Sequence, residues 1–352
     1  MTEAPIPVFD GHNDVLWRLW SSAGGLDKAV KIFTEGAADG HIDAIKARKG
    51  GLAGGLCAIY VPSNDQKRAT RNADGHYDTP LAGPLERGPS LDIALQMAHI
   101  ALEIERAGGW RLCRSGADID TAMADGVFAA VLHLEGCEPI GADLSALSVL
   151  HAAGLRSLGP VWSRNNIFAH GVPFAFPKCP DTGPGLTDLG KALVRECDRL
   201  GILVDCAHIT EKGFWDIAET SENPLIVSHS NAHALTPVAR NLTDRQLDAV
   251  RERKGIVGLN YAVSMLREDG AENPDTSIDD MLRHIDYLVE RVGIDGVALG
   301  SDFDGAMIPA VIGSAAGLPS LVRGLETHGI TGPDLEKLCR GNWRRVIGQV
   351  IG

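Results

Sequence analysis

Short apolar runs punctuated by polar residues recur along this chain, at residues 5–10, 52–60, 127–134, 155–161, 202–206, 225–228, 255–260 and 296–300. Runs this short and this continuous suit parallel strands buried on both faces. Helical patterns lie between many of them. Residues 91–107 carry Ile93, Ala94, Met97, Ile100, Ala101 and Ile104 as a helical stripe. Thr187 is placed to cap a helix through residue 200, with Leu189, Leu193, Cys197 and Leu200 on one face and Gly201 as its stop. Thr243 likewise precedes a helix over 244–253, closed by Gly255, and further helices are expected over 278–292 and 333–351. Strands alternating with helices predict an α/β protein, a (β/α)8 TIM-like barrel, with residues 1–352 as a single catalytic domain.

Two stretches break the alternation. Residues of about 61–90 are polar and rich in turn formers, and residues 168–185 carry Pro173, Pro177, Pro180 and Pro184. Both follow strands, so they are expected to lie over the face where barrel active sites are built, as loops that cover a substrate.

Composition narrows the partners. The chain has 352 residues, 44% hydrophobic and 22% charged, with a formal net charge of -13. That balance argues against nucleic acid or an anionic membrane as partner. No secretory signal and no apolar run of membrane-spanning length is present, so no membrane attachment and a cytoplasmic location are expected. The 7 cysteines are scattered without a Cys-x-x-Cys pair, which predicts reduced core thiols and no thiolate metal site.

The polar residues that end the strands carry the chemistry. His12 and Asp14 follow the first run, and two residues apart on extended chain they point to the same side. The third run ends in His133-Leu134-Glu135, the fifth in Asp205-Cys206-Ala207-His208, the sixth in Ser228-His229-Ser230, and the eighth in Ser301-Asp302-Phe303-Asp304. Like charges crowded on one rim repel unless a cation lies between them. Histidines and carboxylates in these proportions match zinc better than magnesium or calcium.

Two ions about 3.5–4 Å apart need a bridging carboxylate, and Glu135 stands between the histidine clusters. His12 and Asp14 would then complete one ion, and His208 and His229 the other, giving two Zn2+ per chain bridged by Glu135 and a water or hydroxide. Asp302 remains as general base. Asp304 reads as a structural partner in its turn, and His133 as a residue that supports the ligands from behind. His170 and His233 follow strand ends within reach of a substrate. His41, His76, His99, His151, His284 and His328 read as plain surface or helix residues.

With these residues in view, the chain resembles the membrane dipeptidase (renal dipeptidase) family of zinc peptidases. The resemblance rests on Asp10-Gly11-His12-Asn13-Asp14, Glu135-Gly136, the stretch from Gly185-Leu186-Thr187 through Asp205-Cys206-Ala207-His208, Ser228-His229-Ser230, Arg240-Asn241-Leu242, Gly300-Ser301-Asp302-Phe303-Asp304-Gly305 and Gly341-Asn342-Trp343. It implies a TIM-like barrel of the metal-dependent amidohydrolase type and hydrolysis of dipeptides, often with a D-residue at the C-terminal position. It also implies His12, Asp14, Glu135, His208 and His229 on the metals, Asp302 as the proton shuttle, and Arg240 as the clamp for the substrate's carboxylate.

One departure stands out. Where the family shows a histidine that polarises the scissile carbonyl, this chain has Trp162, in the stretch Trp162-Ser163-Arg164-Asn165. Trp162 and Asn165 therefore join Arg240 as the expected substrate-binding residues, with Arg164, His170 or a zinc as other ways to supply the missing donor. Two competing functions remain open at this point. One is a binuclear amidohydrolase acting on another amide, such as an N-acyl amino acid or a lactam. The other is a metal-binding protein with lapsed catalysis. The sequence leaves the oligomeric state open, with a homodimer as the candidate.

Overall fold

A computed structural model describes residues 5–22, 24–63, 65 and 69–352. Eight parallel strands form its centre: β1 (Val8–Asn13), β2 (Leu52–Tyr60), β3 (Ala129–Glu135), β4 (Leu155–Gly159), β5 (Leu203–Val204), β6 (Ile226–Ser230), β7 (Ile256–Leu259) and β8 (Val297–Leu299). They pair in two arcs, β1 to β5 and β6 to β8, each in sequence order. Isolated parallel bridges join the arcs. Asp205 pairs with Ile226, and Asn13 pairs with Phe303. The second junction is reinforced by the Asp302 N–H donating to the His12 carbonyl at 3.0 Å and the Asp14 N–H to the Phe303 carbonyl at 2.8 Å. The ring is closed, the TIM-type barrel that the apolar runs predict.

The strands fall on all the runs anticipated, with shifted ends. β1 continues to Asn13, because past a register shift it pairs with Cys57 on one side and Phe303 on the other. β5 shrinks to Leu203–Val204, where chain turns away to bring His208 into a left-handed φ of 63°.

Inside the barrel the alternation of strand residues sets up a vertical division. On β3, Ala129 and Val131 join Phe9, Leu56, Leu203, Ile226 and Ile256 in an apolar floor. The next inward positions, His133 and Glu135, are polar. Apolar residues at one level and polar ones at the next, on one strand, place the candidate site at the C-terminal mouth.

The helix over Ile278–Val292 falls as expected. Thr187 caps Asp188–Leu200, its Oγ1 accepting the Gly190 N–H at 3.1 Å, and Gly201 ends it at φ 68°. The stretch 333–351 differs from the single helix expected. It is Gly332–Glu336, a wide turn over Lys337–Gly341, then Asn342–Ile351. The wide turn swings Asn342 and Trp343 beneath β8. There the Asn342 Nδ2 donates to the Val297 carbonyl at 2.8 Å, and the Trp343 Nε1 to the Leu299 carbonyl at 2.8 Å. Gly11 is required at this contact, because a Cβ there would overlap the Trp343 ring and the Ser228 carbonyl. Helices Val15–Ser22, Leu26–Glu35 and Ala44–Gly50 fill the β1–β2 connection and were not anticipated, each being too short for its stripe to stand out.

The two long loops meet over the mouth. Tyr77–Asp78 pairs antiparallel with Ala175–Phe176, and the Thr79 N–H donates to the Phe174 carbonyl at 2.9 Å. Asn64 and residues 66–68 of the first loop lie outside the described residues. All seven cysteines are unpaired, and only Cys179 is exposed. No helix among the described residues is long and apolar enough to cross a membrane.

Candidate active site

Three strand ends each bring a histidine to the Glu135 carboxylate. Its Oε1 lies 3.6 Å from His12 Nε2, 3.2 Å from His208 Nε2 and 3.7 Å from His229 Nε2. Asp14 Oδ2 is 3.4 Å from His12 Nε2 on the other side. His208 and His229 face each other, Nε2 to Nε2, at 3.0 Å, and the His12 ring stacks on His229 at 3.9 Å. His12, Glu135 and His229 can offer ligand atoms to one ion, and His12, Asp14 and Asp302 to another. The five residues expected on metals, and Asp302, are thus brought together.

The orientation of these rings is set from behind. Ser228 Oγ donates to Asp205, so it must accept from His229 Nδ1–H, with 2.7 Å between them. That leaves the Nε2 lone pair of His229 pointing into the site. Ser163 Oγ lies 2.8 Å from His208 Nδ1 and orients that ring. Asp205, Ser163 and Ser228 were not singled out from sequence. Asp205 was visible there, three residues ahead of His208 at the same strand end. His133, fully buried, contacts Ser157 Oγ through Nδ1 at 2.8 Å and lies 3.8 Å from Asp205 through Nε2, beneath the ligands.

The electrostatics call for cations. Burial raises the Glu135 and Asp302 carboxyls above the usual range, and the neighbouring Asp14 charge raises them further. Burial disfavours charge on His12, yet Glu135, Asp14 and Asp302 outweigh it and lift its pKa to about 10. Burial pushes His208 and His229 well below the ordinary value, and Arg240 and His12 push in the same direction. Burial thus favours the neutral form of both imidazoles, whose Nε2 atoms meet at 3.0 Å beside the Glu135 carboxylate. Both nitrogens of His12 and the Oδ1 of Asp14 are buried without a hydrogen-bond partner. Such orphaned groups are expensive to bury, and a metal ion held by His12 and Asp14 would give an imidazole nitrogen and the carboxylate a partner.

Asp302 has φ 58° and its Oδ2 accepts the Asn260 Nδ2–H at 3.0 Å, so the carboxylate is held over the ligands. Asp304 serves its turn, accepting the His41 N–H at 2.6 Å and pairing with Arg18 Nε at 3.0 Å. His41 is therefore not a plain surface residue. Its Nδ1 accepts the Asp304 N–H at 2.8 Å. His41 is half-buried, whereas His284 is fully buried, with Nδ1 accepting the Ala232 N–H at 3.2 Å.

Above the ligands opens a cavity of about 790 Å3, lined by Asp14, Glu135, His208, Arg240, Asp302 and the aromatic residues Trp17, Tyr60, Trp162 and Phe174, among others. Arg240 is buried, with its Nη2 donating to the His229 carbonyl at 3.3 Å and its Nε left without a partner. Burial lowers its pKa to about 10. Trp162 lines the cavity 5.6 Å from the His208 ring. Asn165 does not line it, because its Oδ1 is taken up by the Gly171 N–H at 3.1 Å. Nor do His170, held to the Gly185 carbonyl at 3.0 Å, or His233, held to the Lys178 carbonyl at 2.9 Å.

Arg164 is committed to the scaffold. Its Nε donates to Glu138 Oε1 at 2.8 Å, with both side chains wholly buried, and its Nη2 to the Val61 carbonyl at 3.0 Å. Removing one partner of a buried pair strands the other charge. Arg164→Met is expected to cost about 3–5 kcal/mol of stability. The double variant Arg164→Met/Glu138→Leu should recover most of that loss. Thermal denaturation of both variants checks this, and an unchanged midpoint in the single variant would remove the pair from the account.

Comparisons with known proteins find relatives along almost the whole chain. The family described as Membrane dipeptidase (Peptidase family M19) matches residues 2–351. The chain is similar to a solved structure of dipeptidase AC, a metallo peptidase, with 47% identity, TM-score 0.93 and coverage of 99% of this chain and 100% of that one. It is also similar to a metallo peptidase from Rhodobacter sphaeroides, solved with a phosphinate mimic of the dipeptide L-Ala-D-Ala, with 45% identity, TM-score 0.93 and coverage of 98% and 99%. An uncharacterized protein of the pqqA 5' region of Klebsiella pneumoniae is 44% identical over 265 residues, 75% of this chain and 98% of that protein. This chain, a closed barrel with candidate metal-binding residues at its C-terminal mouth, matched by the family over residues 2–351, is a member of the membrane dipeptidase family of metallo peptidases.

Proposed function

We propose that this chain hydrolyses the peptide bond of dipeptides at a binuclear zinc centre. The observation that carries the reading is the convergence of His12, His208 and His229 on one oxygen of Glu135, with Arg240 and Asp302 facing the same cavity. His12 and Asp14 would hold one ion, His208 and His229 the other, and Glu135 both. When bound, such a pair supplies a nucleophilic hydroxide at neutral pH and polarises the scissile carbonyl.

The chain's own groups do the rest. Arg240 offers its unpartnered Nε–H and its fork to the C-terminal carboxylate. Asp302, its carboxyl raised and so ready to take a proton, accepts one from the attacking water and returns it to the leaving amine. Of the side chains that could supply the donor the family's histidine gives, Arg164 and His170 are engaged elsewhere, which leaves the Trp162 indole N–H, in the wall of the cavity, beside the metal pair. The unpaired thiols fit a reducing cytoplasm.

The test is a substrate panel on zinc-loaded protein, with L-Xaa-L-Xaa and L-Xaa-D-Xaa dipeptides beside N-acyl amino acids, and elemental analysis of the same sample. Dipeptide cleavage with two zinc ions per chain is expected. Preference for N-acyl amino acids would replace the substrate class. Absence of metal binding would overturn the mechanism.

A further inference from the structure

The walls of the cavity differ in chemistry by strand. Arg240 follows β6, and Tyr60 ends β2, four strands away in the closed ring, so the two face each other across the mouth. Tyr60 belongs to a continuous aromatic wall. Its ring centroid is 6.1 Å from Trp17 and 5.2 Å from Trp162, which in turn lies 5.5 Å from Phe174. The Arg164 guanidinium packs behind this wall, 5.9 Å from the Tyr60 centroid and 5.5 Å from that of Trp162, anchored by Glu138. The rings are therefore fixed before any ligand arrives, which spares a bound side chain the cost of ordering them.

We infer that this wall is the subsite for the side chain N-terminal to the scissile bond, and that Trp17 selects dipeptides whose N-terminal residue is aromatic or large and apolar. The inference rests on the dipeptidase reading above. With the substrate's carboxylate on Arg240 and its peptide bond over Glu135, the remaining residue must extend toward β2. At roughly 3.5 Å per extended residue, its side chain reaches the aromatic faces. Those faces offer large apolar area, with the offset or edge-on packing that aromatic side chains favour. The C-terminal side of the cavity is different, lined by Val238, Met265 and Ala306. Trp17 is the residue to change. It is only partly buried, on the helix Val15–Ser22 that begins directly after Asp14, whereas Tyr60 and Trp162 are buried and held by Arg164.

The experiment compares kcat/KM for L-Phe-D-Ala against Gly-D-Ala, and for L-Ala-D-Phe against L-Ala-D-Ala, in the zinc-loaded wild type, Trp17→Ala and Trp17→Leu. The first ratio is expected to fall about tenfold or more in Trp17→Ala, mostly through KM, and less in Trp17→Leu. The second ratio should stay within about twofold, which a general loosening of the site would not allow. A wild type that cleaves these dipeptides, with a first ratio that Trp17→Ala leaves unchanged or with both ratios falling alike, overturns this assignment alone. A wild type that cleaves none of them overturns the dipeptidase reading and this assignment with it.

Discussion

Exchanging Glu135 for alanine is expected to yield a folded barrel that retains less than half of the wild-type zinc and turns over dipeptides at least about 1,000-fold more slowly. The magnitude follows from losing the shared ligand, which costs at least about 4 kcal/mol of transition-state stabilisation. The fold should survive, because the deletion relieves repulsion. His12 favours the Glu135 charge, but burial, Asp14 and Asp302 oppose it and on balance raise its carboxyl. The metal-free variant should therefore melt no lower than metal-free wild type, while zinc should raise the midpoint of the wild type far more. Elemental analysis, a dipeptide assay and melting with and without a chelator read these three quantities. Full zinc occupancy in the variant would remove Glu135 from the centre.

Asp302→Asn tests a different step. Asparagine tolerates the φ of 58° that this position requires, and its side-chain oxygen can still accept from Asn260. Backbone and contacts are thus preserved, while the group that carries the proton is lost. Zinc content should match the wild type, and kcat should fall by about 100- to 10,000-fold. Undiminished turnover would exclude Asp302 from proton transfer. A loss of zinc in proportion to activity would instead make it a ligand, since it lies close enough to His12 and Asp14 to share an ion.

The barrel was legible because every strand is buried on both faces, so each of its apolar runs stands clear of the polar residues that follow. The cluster around Glu135 was legible for the same reason, as polar residues at the points where buried runs stop. Other parts were not. Arg240 sits eleven residues beyond His229, in a loop without periodic pattern, and only the family resemblance pointed to it. Asn165 shows the converse. A polar residue just past a strand looks available to substrate, but a backbone N–H from Gly171 occupies it. Trp17, Tyr60 and Phe174 were missed because an aromatic residue in an apolar context reads as core, and only the closed ring reveals which of its faces meets a cavity. The short helices after β1 escaped because few residues in each repeat the apolar period.

The wide turn at Lys337–Gly341 has a bearing on how the chain acquires its shape. It delivers Trp343 against Gly11 and beneath β8, so the floor under the first strand is sealed by residues more than three hundred positions away. Loop closure over that span must precede the contact, so the seal beneath β1 forms slowly and only once Trp343 has been made. The strand that carries His12 and Asp14 is thus made long before the residues that lock it from below. A nascent chain therefore cannot fix these candidate metal-binding residues in place until the far end of the barrel has followed them.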